Sequence, residues 1–175
     1  DEHPTGSTTT RTCFKHDAHG NVISVDMGLA ATANCATATP SANASRYQYD
    51  DFGNLVEATL AAIGGGSTAG ATRFAFNAQG NTLVKQTPAM VSAHVRDHLA
   101  YAYDAMGRLL SVSHVSPLVS GGAETLYAQG YDASASPDAS CGTLANTLGR
   151  LRYQDDSFGR TWFSYDAWGR MVKQV

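Results

Sequence analysis

The order of aromatic, acidic and glycine positions repeats along the chain. Five segments share the order aromatic-x-aromatic-Asp-x-x-Gly, and they are 14–20, 47–53, 74–80, 101–107 and 163–169. His16 and Asn77 are the only departures from it. Gly followed by Asn or Arg occurs seven times, several times the number that composition predicts by chance. The chain is therefore built from a repeated unit, and the repeat decides the fold prediction.

Each copy predicts a β-hairpin. Tyr101 and Tyr103 are two residues apart, so both rings project from one face of a strand. Asp104 begins the turn, where its carboxylate can accept hydrogen bonds from backbone N–H groups two residues on. Gly107 supplies the positive φ that closes a type I turn with a bulge. A return strand follows, with apolar residues at a period of two.

Between the turn glycines at 107 and 169 lies a degenerate unit. It begins at Tyr131 and Asp132, its turn is replaced by a loop over 133–147, and it resumes at Gly149. Gly159 and Gly169 then mark two turns ten residues apart, so residues 148–175 predict a three-stranded meander.

The fold prediction is all-β: consecutive antiparallel hairpins that form one curved or spiralling sheet, since an isolated hairpin is marginal in water. Residues 1–12 are expected to be a flexible leader, and 13–175 to hold about six hairpin units. Long polar loops are expected near 26–45, 64–72, 86–98, 114–124 and 133–147.

The phrase Tyr-x-Tyr-Asp-x-x-Gly-Arg-Leu at 101–109 resembles the YD repeat of RHS (rearrangement hot spot) proteins, which also occurs in Tc toxin components, wall-associated proteins and teneurins. The resemblance covers residues from about 13 to 175. It implies a β-ribbon that spirals into a shell around a toxin or other effector domain of a secreted or cell-surface bacterial protein. Six units are too few to close such a shell, and the family's Asp-Pro-x-Gly-Leu-type cleavage segment is missing. Neither encapsulation by this chain alone nor autoproteolysis is therefore expected.

The candidate functional residues fall into two sets. The first is a set of structural turn residues, which are Asp17, Gly20, Asp50, Gly53, Asn77, Gly80, Asp104, Gly107, Asp132, Gly149, Gly159, Asp166 and Gly169. The second is the aromatic rows, which are Phe14, Tyr47, Tyr49, Phe74, Phe76, Tyr101, Tyr103, Tyr131, Phe163 and Tyr165. These rings either pack and line the sheet or form a surface for glycans, and the period of two does not fix which face they occupy.

Composition narrows the function classes. The net charge is −3, with 12 Lys and Arg against 15 Asp and Glu, so the chain lacks the basic surface that nucleic-acid binding needs. No apolar run reaches the ~20 residues that cross a bilayer.

The chain has three cysteines, Cys13, Cys35 and Cys141, and an odd number cannot form a closed set of disulfides within the chain. Two alternatives follow for their state: a disulfide between Cys13 and Cys35, or three unlinked thiols. The first and last residues are interpreted as those of an excised fragment.

Catalytic and metal chemistry finds little support in the sequence. His94 and His98 are spaced as helical metal ligands, but no third ligand is evident, and a strand follows directly. His16 and His19 flank one turn, and His16, which stands where other copies have Tyr or Phe, is interpreted as a substitute on the strand face rather than a metal ligand. The glycine-rich segment 64–70 lacks the Lys of a phosphate-binding loop. The recurring aspartates occur once per unit at the start of each turn, so they are interpreted as turn formers. A catalytic pair would instead need two carboxyl groups that lie in one cleft and have different environments.

The function prediction is a non-enzymatic scaffold without cofactor or metal, a segment of an RHS/YD-type shell. Its expected partners are further repeats and an enclosed effector domain of a longer chain. One alternative is an extracellular adhesion or carbohydrate-binding module that uses the aromatic rows. Another is self-assembly into an oligomer or filament through open sheet edges.

Overall fold

The computed structural model describes residues 10–60, 70–132 and 142–175. These residues form twelve β-strands and one short α-helix, and the predicted all-β fold of consecutive antiparallel hairpins is confirmed. The chain divides into two compact units, Asp1–Val95 and Arg96–Val175, which we call the N-terminal and C-terminal units.

The N-terminal unit contains six strands and the helix. They are β1 (Thr10–His16), β2 (Val22–Ala30), β3 (Ser45–Tyr49), β4 (Leu55–Thr59), β5 (Ala71–Phe76), β6 (Thr82–Gln86) and α1 (Pro88–Ala93). Each strand pairs antiparallel with the next in sequence. The unit is therefore a meander.

The C-terminal unit is a second meander of six strands. They are β7 (His98–Tyr103), β8 (Leu109–Val115), β9 (Ala123–Tyr131), β10 (Leu151–Asp156), β11 (Gly159–Tyr165) and β12 (Met171–Gln174). Neighbours in sequence again pair antiparallel. The three-stranded meander predicted over 148–175 is confirmed as β10, β11 and β12.

Because neighbouring strands are antiparallel, all odd-numbered strands of a unit end on the same side of the sheet. The repeated turns lie there in a row, across the ends of the strands. We call this the turn edge. In the N-terminal unit it carries the turns at 17–20, 50–53 and 77–80, and in the C-terminal unit those at 104–107, 147–150 and 166–169. The turn before Gly159 joins β10 to β11 and lies at the opposite edge.

Few apolar side chains are buried among the described residues: Cys13, Ala44, Ala71 and Trp162. Buried polar residues outnumber them, and Asp26 and Ser116 are examples. Most strand residues are half-buried, so the described residues of each unit do not form the large hydrophobic core of a layered domain.

The loop 31–44 of the N-terminal unit is fastened to the sheet at two points. A disulfide joins Cys13 in β1 to Cys35 in the loop. The Asp26 carboxylate accepts hydrogen bonds from the Ser41 hydroxyl (2.8 Å) and the Ser41 backbone N–H (2.7 Å). Of the two alternatives left open for the cysteines, the structure contains the disulfide. Cys141 and the expected loop residues 64–69 lie outside the described residues.

Two segments differ from the sequence expectation. The expected loop over 86–98 contains α1, which Thr87 caps by accepting from the Met90 N–H, while Pro88 occupies the first turn, where its missing N–H costs nothing. The expected loop over 26–45 begins later, because β2 continues to Ala30, which pairs with Thr10. No helix in the described part of the chain is long and apolar enough to span a membrane.

Candidate functional site

The hydrogen bonds around Asp104 define the repeated turn. One carboxylate oxygen, Oδ1, accepts from the backbone N–H groups of Met106 and Arg108, both at 2.9 Å. The Gly107 N–H donates to the Asp104 carbonyl at 3.0 Å, and Gly107 has φ 78°. This is a type I turn followed by a glycine bulge, and the strand register shifts at the adjacent residue pair.

The same geometry recurs in the other full copies of the phrase. Asp17, Asp50 and Asp166 each accept from the backbone N–H groups two and four residues on. Asn77 accepts the same two bonds through its amide oxygen. The departure at Asn77 therefore preserves the turn, because the turn needs an acceptor rather than a charge.

In the four turns that begin with Asp17, Asp50, Asp104 and Asp166, the residue after the turn glycine also bonds to the aspartate, a role that was not predicted from the sequence. Its side chain donates to the second aspartate oxygen, Oδ2. Asn21 and Asn54 do so through Nδ2 at 2.9 Å, and Arg108 and Arg170 through Nε at 2.6 Å. The excess of Gly-Asn and Gly-Arg pairs in the sequence was the available signal.

These bonds lower the pKa of all five turn aspartates below the ordinary 3.8. The turn aspartates are Asp17, Asp50, Asp104, Asp132 and Asp166. Where Asn follows the glycine, its side-chain amide is the largest cause of the lowered pKa, and where Arg follows, its backbone N–H is. A carboxyl group with a lowered pKa is ionised at neutral pH and is a poor general acid.

The degenerate unit rebuilds the turn from two distant segments. Asp132, with φ 60°, accepts from the Gly149 N–H at 2.5 Å, although 17 residues separate them. Arg108 bridges this unit to the preceding hairpin, because its second guanidinium nitrogen donates to Asp132 Oδ2 at 2.9 Å. The same guanidinium lies 4.2 Å from the centre of the Tyr131 ring. One arginine therefore joins two neighbouring hairpins.

Strand register places the predicted aromatic rows on one face of each unit, which we call the aromatic face. In the N-terminal unit, the Cα partners that carry this face across the sheet are Phe14 with Val25, Val25 with Ser45, Tyr47 with Ala58, and Ala58 with Thr72. In the C-terminal unit they are Tyr101 with Val112, Val112 with Tyr127, Gln129 with Gln154, and Gln154 with Thr161. The remaining rings of each row follow at intervals of two along the same strands.

The rings of the aromatic face are neither buried nor freely exposed. Phe14 is 54% exposed, and the other nine are half-buried. Burial raises the pKa of Tyr101, Tyr131 and Tyr165 above 10.0. A half-covered row of rings is compatible with either of the expected roles, lining or ligand contact.

The second aromatic of the phrase also ties its hairpin to the preceding one. The Tyr49 hydroxyl donates to the Val22 carbonyl at 3.1 Å, and the Tyr165 hydroxyl donates to the Leu151 carbonyl at 2.8 Å. Val22 and Leu151 both lie two residues after a turn glycine. The bond therefore recurs at equivalent positions, which gives Tyr a structural reason to precede Asp.

An aromatic pair on the opposite face was not predicted. Trp162 is 5% exposed and is the largest apolar side chain buried among the described residues. Its ring centre lies 5.3 Å from that of Tyr153, its direct partner across the β10–β11 hairpin. The sequence signal was the two-residue turn before Gly159, which sets this register.

A cleft of about 360 Å³ lies between two neighbouring turns of the N-terminal unit. Phe52, which is 90% exposed, stands at one side, and Phe76 contributes a second ring. Asn54, Asn77 and Gln79 supply amide groups to the lining. The cleft thus combines aromatic surface with hydrogen-bonding groups.

The histidines are dispersed. His94 ends α1, its N–H donating to the Met90 carbonyl, and His98 Nδ1 lies 2.8 Å from the Arg96 carbonyl. His16 and His19 are exposed beside the first turn. Within residues 10–60, 70–132 and 142–175, no three His, Cys, Asp or Glu side chains are placed to hold a metal ion.

Comparison with known proteins gives a likeness of fold. No protein-family model and no curated protein matches the chain. Among solved structures, the crystal structure of TcdB2-TccC3-TEV aligns with 94% of the chain at 20% identity and a TM-score of 0.62. The crystal structure of TcdB2-TccC3 aligns with 93% at 21% identity and a TM-score of 0.63. TcdB2-TccC3 without its hypervariable C-terminal region aligns with 93% at 20% identity and a TM-score of 0.64. The chain spans 7% of the length of each of these chains.

Proposed function

We propose that the chain is a non-enzymatic scaffold, a segment of the wall of an RHS/YD-repeat shell in a longer secreted bacterial protein. In that protein the shell encloses or presents an effector domain. The observation that carries the proposal is the aromatic face, which gathers every predicted ring on one side of each unit and leaves it half-covered. The fold shared with the TcdB2-TccC3 structures supports the same role.

The burial pattern favours a segment of a larger β-sheet shell over an independent globular domain. A globular domain buries its large apolar side chains in one core, whereas here the rings of the aromatic face stay partly exposed. The hydrogen bonds that hold each unit together lie within turns and between neighbouring hairpins. The described part of the sheet is organised without a large core, so its aromatic face is available to line the space beside another polypeptide.

The absence of enzymatic activity is supported by how the carboxylates are used. Each turn aspartate accepts at least two hydrogen bonds from its own turn or from the neighbouring hairpin. A catalytic carboxyl would need a free oxygen and a pKa near the working pH. The disulfide between Cys13 and Cys35 supports secretion, because disulfides persist in oxidising compartments.

The test is to compare the native gene product with the isolated chain. The proposal expects a product far larger than 18.4 kDa that carries further copies of the phrase. In hydroxyl-radical footprinting, Tyr47 and Phe163 should react more slowly in the native product than in the isolated chain. Phe158, 99% exposed at a turn, is the reference and should react alike in both. A native monomer of 18.4 kDa, or rings equally reactive in both samples, would refute the proposal.

A second candidate function is carbohydrate binding, and the cleft beside Phe52 favours it. Sugars bind where an aromatic ring offers a flat apolar surface and nearby amides offer hydrogen bonds. Titration of the chain against a glycan panel by calorimetry tests this function. Binding that Phe52→Ala abolishes and Phe158→Ala preserves would support it, and flat titrations across the panel would exclude it.

A further inference from the structure

The residue before each turn glycine is apolar and exposed throughout the turn edge of the C-terminal unit. Met106 is 76% exposed, Leu148 83% and Trp168 81%. They precede Gly107, Gly149 and Gly169. We call these three side chains the tip row. Large apolar side chains exposed together on one edge are unusual for a surface that faces only water.

The turn itself does not require an apolar residue at this position. Met106 and Trp168 contribute their backbone N–H to the turn aspartate at 2.9 Å, and their side chains take no part in that bond. The N-terminal unit carries His19, Phe52 and Gln79 at the same position of the same turn, each with the same backbone bond. Polar residues therefore fit equally well, and the apolar choice needs another reason.

The spacing of the tip row is fixed by the sheet. Successive turns on this edge are two strands apart, or roughly 9.5 Å. Each turn is held by its own hydrogen bonds, so the backbone that carries the three side chains is pre-organised as a row. Binding to such a row costs little ordering of the backbone.

Most charged groups beside the tip row are paired within the edge. Arg150, which has no carboxylate partner among the described residues, donates to the Asn146 carbonyl at 2.7 Å and lies 5.7 Å from the centre of the Tyr165 ring. Arg108 is bonded to Asp104 and Asp132, and Arg170 is bonded to Asp166. The Arg170 guanidinium also lies 5.4 Å from the centre of the Trp168 ring. A surface whose charges are mostly paired locally repels an identical surface only weakly.

We propose that the tip row is a dimerisation surface on which a second copy of this chain docks, turn edge against turn edge. An identical edge carries the same spacing, so in a two-fold arrangement all three side chains of one copy meet those of the other. Six such side chains bury on the order of 1,000 Å² in total, at the lower limit of specific interfaces. The dimer is therefore weak and reversible, and it uses turns rather than the open edge strands.

The test is sedimentation equilibrium of the full chain over a concentration series from about 10 μM to about 1 mM, the range of weak complexes. The mass should rise from 18.4 kDa toward twice that value. The triple variant Met106→Ser, Leu148→Ser, Trp168→Ser should weaken association at least tenfold. The matched control, Leu118→Ser with Phe158→Ser, removes two exposed apolar side chains at the opposite edge and should leave association unchanged.

A spectroscopic measurement checks the contact itself. In a Trp162→Phe background, Trp168 is the single tryptophan, and its emission should shift to the blue as concentration rises, because dimerisation covers its ring. A chain that stays monomeric to about 1 mM overturns the proposal. So does association that survives the triple variant but is lost with Val172→Lys on β12, because strand addition would then be responsible.

Discussion

Substitution of Gly53 isolates the energetic cost of the repeated turn. Gly53 has φ 83°, a backbone conformation that residues with a Cβ rarely adopt, and a Cβ added there meets no atom within 4 Å. Gly53→Ala therefore introduces backbone strain without a steric clash. That strain is about 1–2 kcal/mol for an L-residue in the left-handed region.

The assay is urea unfolding followed by far-UV circular dichroism, with thermal unfolding in parallel. In a compact unit of this size, each 1 kcal/mol corresponds to roughly 4–8 °C in Tm. Gly53→Asn should cost less than Gly53→Ala, because Asn tolerates the left-handed region better. Gly169→Ala should cost about as much as Gly53→Ala, because the nearest group that its Cβ would meet is the Arg150 guanidinium, the far end of a flexible side chain that can move aside.

Asp51→Ala is the matched control in the same turn. The equivalent position holds Ala in the other four full copies of the phrase, at 18, 78, 105 and 167. Asp51 is exposed, so this change should fall within about 0.5 kcal/mol of the wild type. If Gly53→Ala is as mild as Asp51→Ala, the positive φ does not hold the turn, and the role assigned to the repeated glycine is wrong.

Three further results are expected. Cys13→Ser with Cys35→Ser should lower the free energy of unfolding by about 3 kcal/mol in urea titrations, since the disulfide closes a loop with a sequence separation of 22; reduction of the wild type should match it, and an unchanged midpoint would contradict it. Tyr49→Phe should cost about 0.5–1.5 kcal/mol by the same assay, because it removes the bond to the Val22 carbonyl; Tyr47→Phe is the control, since no partner for its hydroxyl is seen in the described residues. The pKa of each turn aspartate is lower in the folded chain than its ordinary value of 3.8. The stability that these groups contribute is therefore complete above about pH 3.8 and is lost as the pH falls through their folded pKa values. The urea midpoint should fall between about pH 6 and about pH 2.5, and a constant midpoint would refute this reasoning.

The hairpin repeat was predictable because its information is local. An acceptor at the first turn position and a glycine three residues later specify the turn whatever the rest of the chain does. Alternation of aromatic and small residues then assigns the strands. The degenerate unit was also found, since Asp132 and Gly149 keep the two ends of the phrase even though a long loop separates them.

What the sequence did not reveal depends on register between strands. The Tyr49 bond to Val22, and the Arg108 bond to Asp132, join residues 27 and 24 positions apart. Their partners are known only once neighbouring hairpins are aligned, and a shift of one residue would reverse the faces. The common face of the aromatic rows is a property of this alignment, which is why their burial could not be assigned beforehand.

The nature of these bonds also explains how the fold is shared at 20–21% identity. The turn bonds and the tyrosine bonds connect atoms of one turn or of adjacent hairpins, so stability is a sum of neighbour terms rather than the property of one core. Each full turn has an acceptor and a glycine, and Asn77 shows that even the acceptor varies. Most other positions face half-buried surroundings where many side chains fit. A sheet organised in this way can change most of its sequence and keep its architecture, provided that the turn residues and the bonding tyrosines keep their spacing.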